Sequence, residues 1–279
     1  MSASILGNEN ESESENKQES KQKIETKEIE GPPPDTTVLD RPTSSKKKKR
    51  RKRKKKSSSL KKKVIPPFEG LYEGETVDGL REGHGTVRWT NGDEYVGSFN
   101  AGYRSGQGKY VIEQQKRIYN GMWRRSKRHG KGKETFADAS TYEGMYANDL
   151  FHGEGKRTTA AGTYDGFFEL GMKHGEGRML WVEARSSYNG HWKDGFFHGM
   201  GEYLGKDGTT YNGEFSKGER HGQGSALYPN GEKYMGEWKR NVQHGVGIYR
   251  WSNGKWRKSE WSMGKRVRWL TNDRVGGLS

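Results

Sequence analysis

A tyrosine-led unit that recurs along the chain constrains its fold more than any other feature of the sequence. One example is YNGMWRRSKRHGKGKETF from Tyr119. The regular recurrence indicates an array in which each unit gains its stability by packing on its neighbours. Successive units begin at Tyr72, Tyr95, Tyr119, Tyr142, Tyr164, Tyr188, Tyr211 and Tyr234, so their starting positions differ by 23, 24, 23, 22, 24, 23 and 23.

Each unit has the pattern of a β-hairpin. Tyrosine, glycine and an aromatic residue fall at positions i, i+2 and i+4, as in Tyr119, Gly121 and Trp123, and this period of two is typical of a strand with one distinct face. A polar loop follows, and then a second run with glycines at alternate positions, such as Gly130 and Gly132. Units close on turns such as TNGDE and PNGEK, in which Asn-Gly supplies the positive φ of a tight turn.

The composition fits a sheet built from rings and glycine. The chain has 41 glycines and 32 aromatic residues, and on an aromatic face each glycine leaves a gap for a neighbouring ring. Sixteen strands would extend roughly 75–80 Å if the sheet does not close. We therefore predict an all-β fold, an elongated single-layer antiparallel meander of eight hairpin repeats behind a disordered N-terminal tail.

The chain divides into four parts. Residues 1–45 form an acidic and polar tail with no aromatic residue, and residues 46–63 form a polybasic tract, and both are predicted to be disordered. Residues 64–256 carry the repeats, and a degenerate unit that we interpret as a cap and tail occupies 257–279, with Trp256, Trp261 and Trp269 over the last edge. The repeats run over 72–94, 95–118, 119–141, 142–163, 164–187, 188–210, 211–233 and 234–256.

The order YxGxW, then HGxG, then a PNG-type turn resembles the MORN repeat family. The resemblance covers about two thirds of the chain. It implies a twisted, single-layer antiparallel sheet. Some MORN proteins also carry a kinase or methyltransferase domain, but no residues remain here to form one.

Several classes of function are excluded. No apolar run approaches the ~20 residues of a membrane span, the N-terminus lacks the features of a secretory signal, and the chain has no cysteine. None of the GxG segments continues to a phosphate-binding motif. One histidine per repeat would lie roughly 10 Å from the next, too far to share a metal; these are His129, His152, His174, His198, His221 and His244. We expect an intracellular protein that is not an enzyme, with no catalytic, cofactor-binding or metal-binding residue.

The aromatic face is the first candidate site. A row of rings with glycine gaps on a single-layer sheet forms a shallow groove that could hold an amphipathic helix or an extended peptide of a partner protein. The alternative is that rings of adjacent hairpins mostly cover each other. The predicted groove residues are Tyr119, Trp123, Tyr142, Tyr164, Tyr188, Trp192, Tyr211, Phe215, Tyr234 and Trp238.

The polybasic tract is the second candidate site. It could be a nuclear localisation signal, a nucleic-acid contact, an anchor on anionic phospholipid, or a contact with acidic protein surfaces such as tubulin tails. The alternative is a solvated tail with no dedicated partner. The tract lacks interleaved aromatics, so nucleic acid is the weakest partner, and phosphorylation of Ser57, Ser58 and Ser59 would lower its charge. Its basic residues are Lys46, Lys47, Lys48, Lys49, Arg50, Arg51, Lys52, Arg53, Lys54, Lys55, Lys56, Lys61, Lys62 and Lys63.

The stretch YEGMYANDLFHGEGK is similar to repeats of ciliary MORN proteins, in particular those of the radial spoke head. The resemblance implies a structural scaffold that docks axonemal or cytoskeletal proteins in a cilium or flagellum. The long polybasic leader departs from that group. Two alternatives stay open: a scaffold on the cytoplasmic face of an anionic, phosphoinositide-rich membrane, and a nuclear protein.

Overall fold

The described part of the chain is built from β-strands. The computed structural model describes residues 70–271 and the short strand 274–275. The predictions for the acidic tail at 1–45 and for the polybasic tract at 46–63 lie outside these residues. Within the described residues there is no helix.

Nineteen strands follow one another along the chain. Their bounds are β1 Gly70–Val77, β2 Leu80–Trp89, β3 Glu94–Asn100, β4 Tyr103–Ile112, β5 Arg117–Arg124, β6 Lys127–Thr135, β7 Thr141–Ala147, β8 Leu150–Thr159, β9 Gly162–Glu169, β10 Met172–Trp181, β11 Ser186–Lys193, β12 Phe196–Leu204, β13 Thr210–Ser216, β14 Glu219–Leu227, β15 Lys233–Lys239, β16 Val242–Arg250, β17 Lys255–Ser262, β18 Lys265–Trp269 and β19 Arg274–Val275.

The strands form one sheet in sequence order. From β1 to β18 each strand pairs antiparallel with the next, and β19 pairs with the far end of β17. Among the described residues no pairing joins β1 to the last strands, so the sheet is open. The predicted fold class, an all-β single-layer meander of eight hairpin repeats, is confirmed. Each repeat tyrosine lies on the first strand of its hairpin.

The tightest turns lie inside the hairpins. Two residues with positive φ join the strands, as at Arg125 and Ser126 with φ of 51° and 61°. In the Asn-Gly turns between repeats only the glycine is left-handed, as at Gly92 with φ of 88°. The polar loop predicted within each hairpin is thus a two-residue turn of the primed type, whose twist matches that of paired strands.

Every repeat hairpin contains a β-bulge. In the third repeat Gly121 pairs with Gly132, but Trp123 pairs with Arg128, so three residues of β6 face Met122 alone. The middle residue of these three, Gly130, has φ of +66°. A left-handed position of this kind favours glycine, which explains the first glycine of each HGxG segment.

The side chain of the repeat tyrosine lies along its own strand and reaches the residue three positions ahead. The Tyr119 hydroxyl donates a hydrogen bond to the Met122 carbonyl over 2.8 Å, and in all eight repeats the corresponding distance is 2.7–3.1 Å. The ring then lies over the paired glycines. A Cβ built on Gly121 would come within 2.5 Å of both the Gly132 Cα and the Tyr119 hydroxyl. No residue larger than glycine fits at either position without displacing the ring.

Rings of successive repeats touch edge to face. The Tyr119 ring centre lies 5.1 Å from that of Trp123 in its own repeat and 5.1 Å from that of Tyr146 in the next. The Trp123 indole also donates to the Gly108 carbonyl of the preceding repeat over 3.0 Å. Edge-to-face packing is the favoured geometry of aromatic pairs. The core is therefore a continuous row of rings on one face, which we call the tyrosine face.

The row ends on two of the three tryptophans of the predicted cap, Trp261 and Trp269. Trp261 occupies the aromatic place on β17 and lies 5.6 Å from Tyr234, and Trp269 lies 5.2 Å from Trp251. Trp256 pairs with Arg250 and lies on the other face of β17. The degenerate unit thus extends the sheet by further strands and covers the tyrosine face of the last repeat.

We expect Gly132→Ala to lower the free energy of unfolding by about 1–3 kcal/mol, because its Cβ would collide with the Tyr119 ring. Lys131→Ala, one residue away and exposed on the opposite face, is the matched control and is expected to change it by less than about 0.5 kcal/mol. Urea unfolding followed by circular dichroism measures both. Equal effects of the two substitutions would contradict the fit between ring and glycine.

We also expect the fold to weaken in alkali. Burial raises the pKa of Tyr95 to about 12 and raises the pKa of the other repeat tyrosines above the usual value. Above about pH 10 the unfolded chain loses tyrosine protons that the folded chain keeps, so the free energy of unfolding falls as the pH rises. Urea midpoints at pH 8, 10 and 11 test this. Tyrosinate absorbance that rises well before the β-sheet signal is lost would contradict it.

Candidate partner-binding surface

The ten residues predicted to line an aromatic groove are all buried. Their exposed fractions are 5% or less. Each ring is covered by the rings before and after it, which matches the alternative that adjacent hairpins cover each other. The face does not offer an open groove, because the packing that stabilises the sheet also closes it. The partner-binding role of these rings stays a prediction.

Cationic side chains close part of the same face. The Arg220 guanidinium lies 4.4 Å from the Trp238 ring centre and donates to the Asn241 carbonyl over 2.6 Å. The Asn241 side chain in turn accepts from the Arg220 backbone N–H over 2.9 Å. Burial lowers the pKa of Arg220, and it also lowers that of Arg104, which lies over Trp123. Each of these two arginines donates a hydrogen bond to a backbone carbonyl in the turn of the following hairpin.

Phenylalanine takes the place of the cation in two repeats. Phe151 stacks on Tyr142 with 3.8 Å between ring centres, and Phe197 stacks on Tyr188 with 3.9 Å. The second residue after the tight turn is thus a cation in some repeats, such as Arg220 and Lys173, and a ring in two others. Both choices cover the repeat tyrosine from the same side, so neither leaves a ring accessible.

Glu134 is a buried carboxylate of the tyrosine face that the repeat pattern did not reveal. Glu134 is 1% exposed, and it accepts hydrogen bonds from Arg117 over 2.6 Å and from Arg128 over 2.5 Å. The Tyr146 hydroxyl donates to its other oxygen over 2.9 Å. Both carboxylate oxygens therefore accept hydrogen bonds. The cluster holds two repeats together and has no open side for a substrate.

The repeat histidines are not brought together. His174 lies near Glu169, with 3.4 Å between Nε2 and Oε2, and the His244 ring accepts from the Met263 N–H over 3.5 Å. Across 70–271 and 274–275, no group of three or more metal-binding side chains is placed to hold a metal ion. The same residues contain no helix long and apolar enough to cross a membrane.

The face opposite the tyrosines is exposed and differs from repeat to repeat. Its central positions carry charges in repeats three to five, where Lys133 and Glu143 form an ion pair of 3.1 Å. Near the C-terminal end the same row becomes apolar at Met235 and Ile248. An open depression of about 520 Å³ lies there, lined also by Met200 and Val246. Side chains that vary on a constant backbone are available for specific contacts.

The third hairpin carries a basic surface on this opposite face. Arg124, Lys127 and Lys131 are exposed there, with Arg125 in the turn between the strands. Within residues 70–271 none of the four forms an ion pair. In the sequence this surface corresponds to the run RRSKRHGKGK. The sequence analysis did not single it out, because the polybasic tract carries a much larger charge. That tract itself lies outside the described residues.

The curated proteins give two partial relatives. One is MORN repeat-containing protein 3 of Xenopus laevis, 36% identical over 67 residues, which are 22% of this chain and 28% of that protein. The other is alsin of Rattus norvegicus, 29% identical over 79 residues, which are 27% of this chain and 5% of alsin. The chain thus spans less than a third of the length of either relative.

The solved structures give weaker likenesses. The TCP10 domain of Danio rerio CPAP has a TM-score of 0.36 and 11% identity, over 73% of this chain and 95% of that domain. The CPAP G-box domain has a TM-score of 0.29 and 10% identity, over 75% of this chain and 99% of that domain. These TM-scores are below the level that establishes a shared fold.

The family comparison covers most of the described sheet. The model of the MORN repeat matches eight times, at residues 72–94, 95–113, 119–141, 142–163, 164–183, 188–210, 211–233 and 234–256. MORN repeats are non-enzymatic scaffold repeats that commonly bind proteins or membranes. With eight matched repeats over more than half of its length, this chain belongs to the MORN repeat family.

Proposed function

We propose that this chain is a non-enzymatic structural scaffold that docks partner proteins on the face of its sheet opposite the tyrosines. The observation that supports the proposal is the difference in exposure between the two faces. The rings of the tyrosine face pack on one another, and every repeat tyrosine except Tyr72 is buried. The opposite face is exposed, and its side chains change from one repeat to the next while the backbone stays the same.

This division decides which substitutions can test the function. Trp123, Trp192 and Trp238 are buried, and each donates its indole N–H to a glycine carbonyl of the preceding repeat over 2.9–3.1 Å. Replacing a buried tryptophan with alanine costs about 3–5 kcal/mol in other cores. Loss of partner capture by such variants would report a damaged sheet. Exposed residues of the opposite face are the informative positions.

We propose that the protein functions in the axoneme. Support comes from the similarity of residues 142–156 to repeats of ciliary MORN proteins of the radial spoke head. In this proposal the partners are axonemal or cytoskeletal subunits, and Lys46 to Lys63 contact acidic tubulin tails. Eighteen consecutive residues with 14 Lys or Arg and no acid provide the charge for such a contact.

A membrane scaffold is the second candidate. The observation that favours it is the same charge: near anionic lipid each Lys or Arg contributes about 1 kcal/mol. The 14 basic residues of the tract could therefore hold the chain on an anionic, phosphoinositide-rich membrane without an inserted group. The same tract could instead serve as a nuclear localisation signal.

We expect the tagged full-length chain and a variant lacking residues 46–63 to localise alike along cilia, because the repeats carry the contacts that select the site. Fluorescence microscopy of ciliated cells measures this. Deletion of residues 16–33, a tail segment of equal length, is the matched control. A full-length chain on membranes or in nuclei that becomes diffuse only when 46–63 is deleted would contradict the axonemal proposal.

A further inference from the structure

Exposed apolar side chains gather on the opposite face beside the tight turns of repeats three to six. Two rows contribute. The first holds the residue three positions after each repeat tyrosine, with Met122, Met145 and Phe167 in successive repeats. The second row begins the following strand, with Leu150, Met172 and Phe196. We call these six residues the apolar strip; apart from the half-buried Met145, they are 37–49% exposed.

The backbone fixes the first row. Each of its side chains lies against the left-handed glycine of the bulge on the next strand. A Cβ added to Gly130 would lie 3.3 Å from the Met122 Cβ, and one added to Gly175 would lie 3.4 Å from the Phe167 Cβ. These glycines therefore leave room that the apolar side chains occupy. The strip is held in register by the same bulges that shape the sheet.

The second row lies on the same face. Ala147 pairs with Leu150, Glu169 with Met172, and Lys193 with Phe196, each pair one step from the tight turn. Directly paired residues of an antiparallel sheet point to the same side. The strip is consequently two residues wide, and it crosses the strands from β5 to β12.

The dimensions of the strip match an amphipathic helix. Equivalent positions in successive repeats are two strands apart, about 9.6 Å at 4.8 Å per strand, and an α-helix advances about 10.5 Å per heptad. Heptad positions a and d form a stripe of two residues, as the strip does. From β5 to β12 the strip spans seven strand steps, about 34 Å, which a helix of about 22 residues covers.

Charge distinguishes the two ends of the strip. Arg124, Lys127 and Lys131 lie beside Met122 on the same face and have no acidic partner among residues 70–271. An acidic terminus of a partner helix would find complementary charge there. The opposite end, at Phe196, is flanked by Lys193 and Asp194, whose charges are mixed. Complementarity therefore fixes the direction in which the helix lies.

We propose that the apolar strip is the docking site of a partner's amphipathic α-helix, about three heptads long, with apolar a and d positions and acidic residues at the end that lies over the third hairpin. The inference rests on the proposed scaffold function and names the partner's chemistry. It moves the helix that the sequence suggested for the aromatic groove to the other face of the sheet.

The test uses the full chain and a fluorescein-labelled synthetic peptide of matching helical length, about 22 residues, with leucine at a and d and glutamates at one end. We expect saturable binding by fluorescence anisotropy. Met145→Glu with Phe167→Glu should weaken it at least tenfold, because two charges would be placed under the helix. Val246→Glu, at an exposed apolar residue of the same face on β16, should leave it unchanged. Circular dichroism verifies that each variant is folded.

Three results of the peptide-binding assay would overturn the proposal. One is the absence of saturable binding, and another is equal loss of binding with Val246→Glu. The third is equal binding of a peptide with the same residues in an alternating order. Moving the glutamates to the other end should weaken binding several-fold.

Sedimentation with phosphatidylcholine–phosphatidylserine vesicles tests whether the strip contacts a membrane instead. If the full chain binds these vesicles and Met145→Glu with Phe167→Glu abolishes that binding, the strip is a membrane contact and the helix-docking proposal is overturned.

The scaffold function can be judged separately. The double variant is expressed in ciliated cells and its localisation is compared with that of the unaltered chain. If it still localises along cilia and the peptide does not bind, the scaffold proposal survives and the helix-docking proposal falls. If binding is as expected but the chain does not reach cilia, the helix-docking site stands and the axonemal proposal falls.

Discussion

The contact between each repeat tyrosine and the glycine pair beneath its ring is the constraint on which the sheet depends. The tyrosine hydroxyl reaches the carbonyl three residues ahead in all eight repeats, and this fixes the ring flat along its own strand. The space it fills is the space that two Cβ atoms would otherwise occupy. Glycine is thus required because the sheet has no second layer, and each ring must serve as the layer that covers the backbone.

The same contact separates the two faces. Since the rings bury one another, the recurring geometry of the repeat serves stability, and specificity must reside elsewhere. The bulge in each hairpin supplies that place, because the residue three positions after the tyrosine lies opposite the bulge and turns its side chain toward solvent against a left-handed glycine. Met122, Met145 and Phe167 occupy that position in the middle repeats, and Glu214 and Glu237 occupy it later. One scaffold can therefore present apolar and acidic surfaces in turn.

The sequence predicted much of the fold and less of the surface. The regular tyrosine spacing and the i, i+2, i+4 pattern identify strands, hairpins and the parity of each ring without any structure. They do not tell whether neighbouring rings cover each other, which depends on the edge-to-face distances between repeats. The bulge could not be predicted, because glycines at alternate positions are also the pattern of a regular strand. Only the structure shows that Gly130 is left-handed and Gly132 is not. Glu134 was hidden because its partners, Arg117, Arg128 and Tyr146, come from three strands.

Hydroxyl-radical footprinting of the full chain tests the division between the faces most directly, since it reads the exposure of individual aromatic and sulfur-containing side chains. If the tyrosine face is closed, Tyr119, Tyr142 and Trp192 are protected, while Phe167, Met172 and Phe196 are modified rapidly in the same sample. Rapid modification of the repeat tyrosines, with protection of Phe167 and Phe196, would mean that the working surface is the aromatic face and would contradict the central claim.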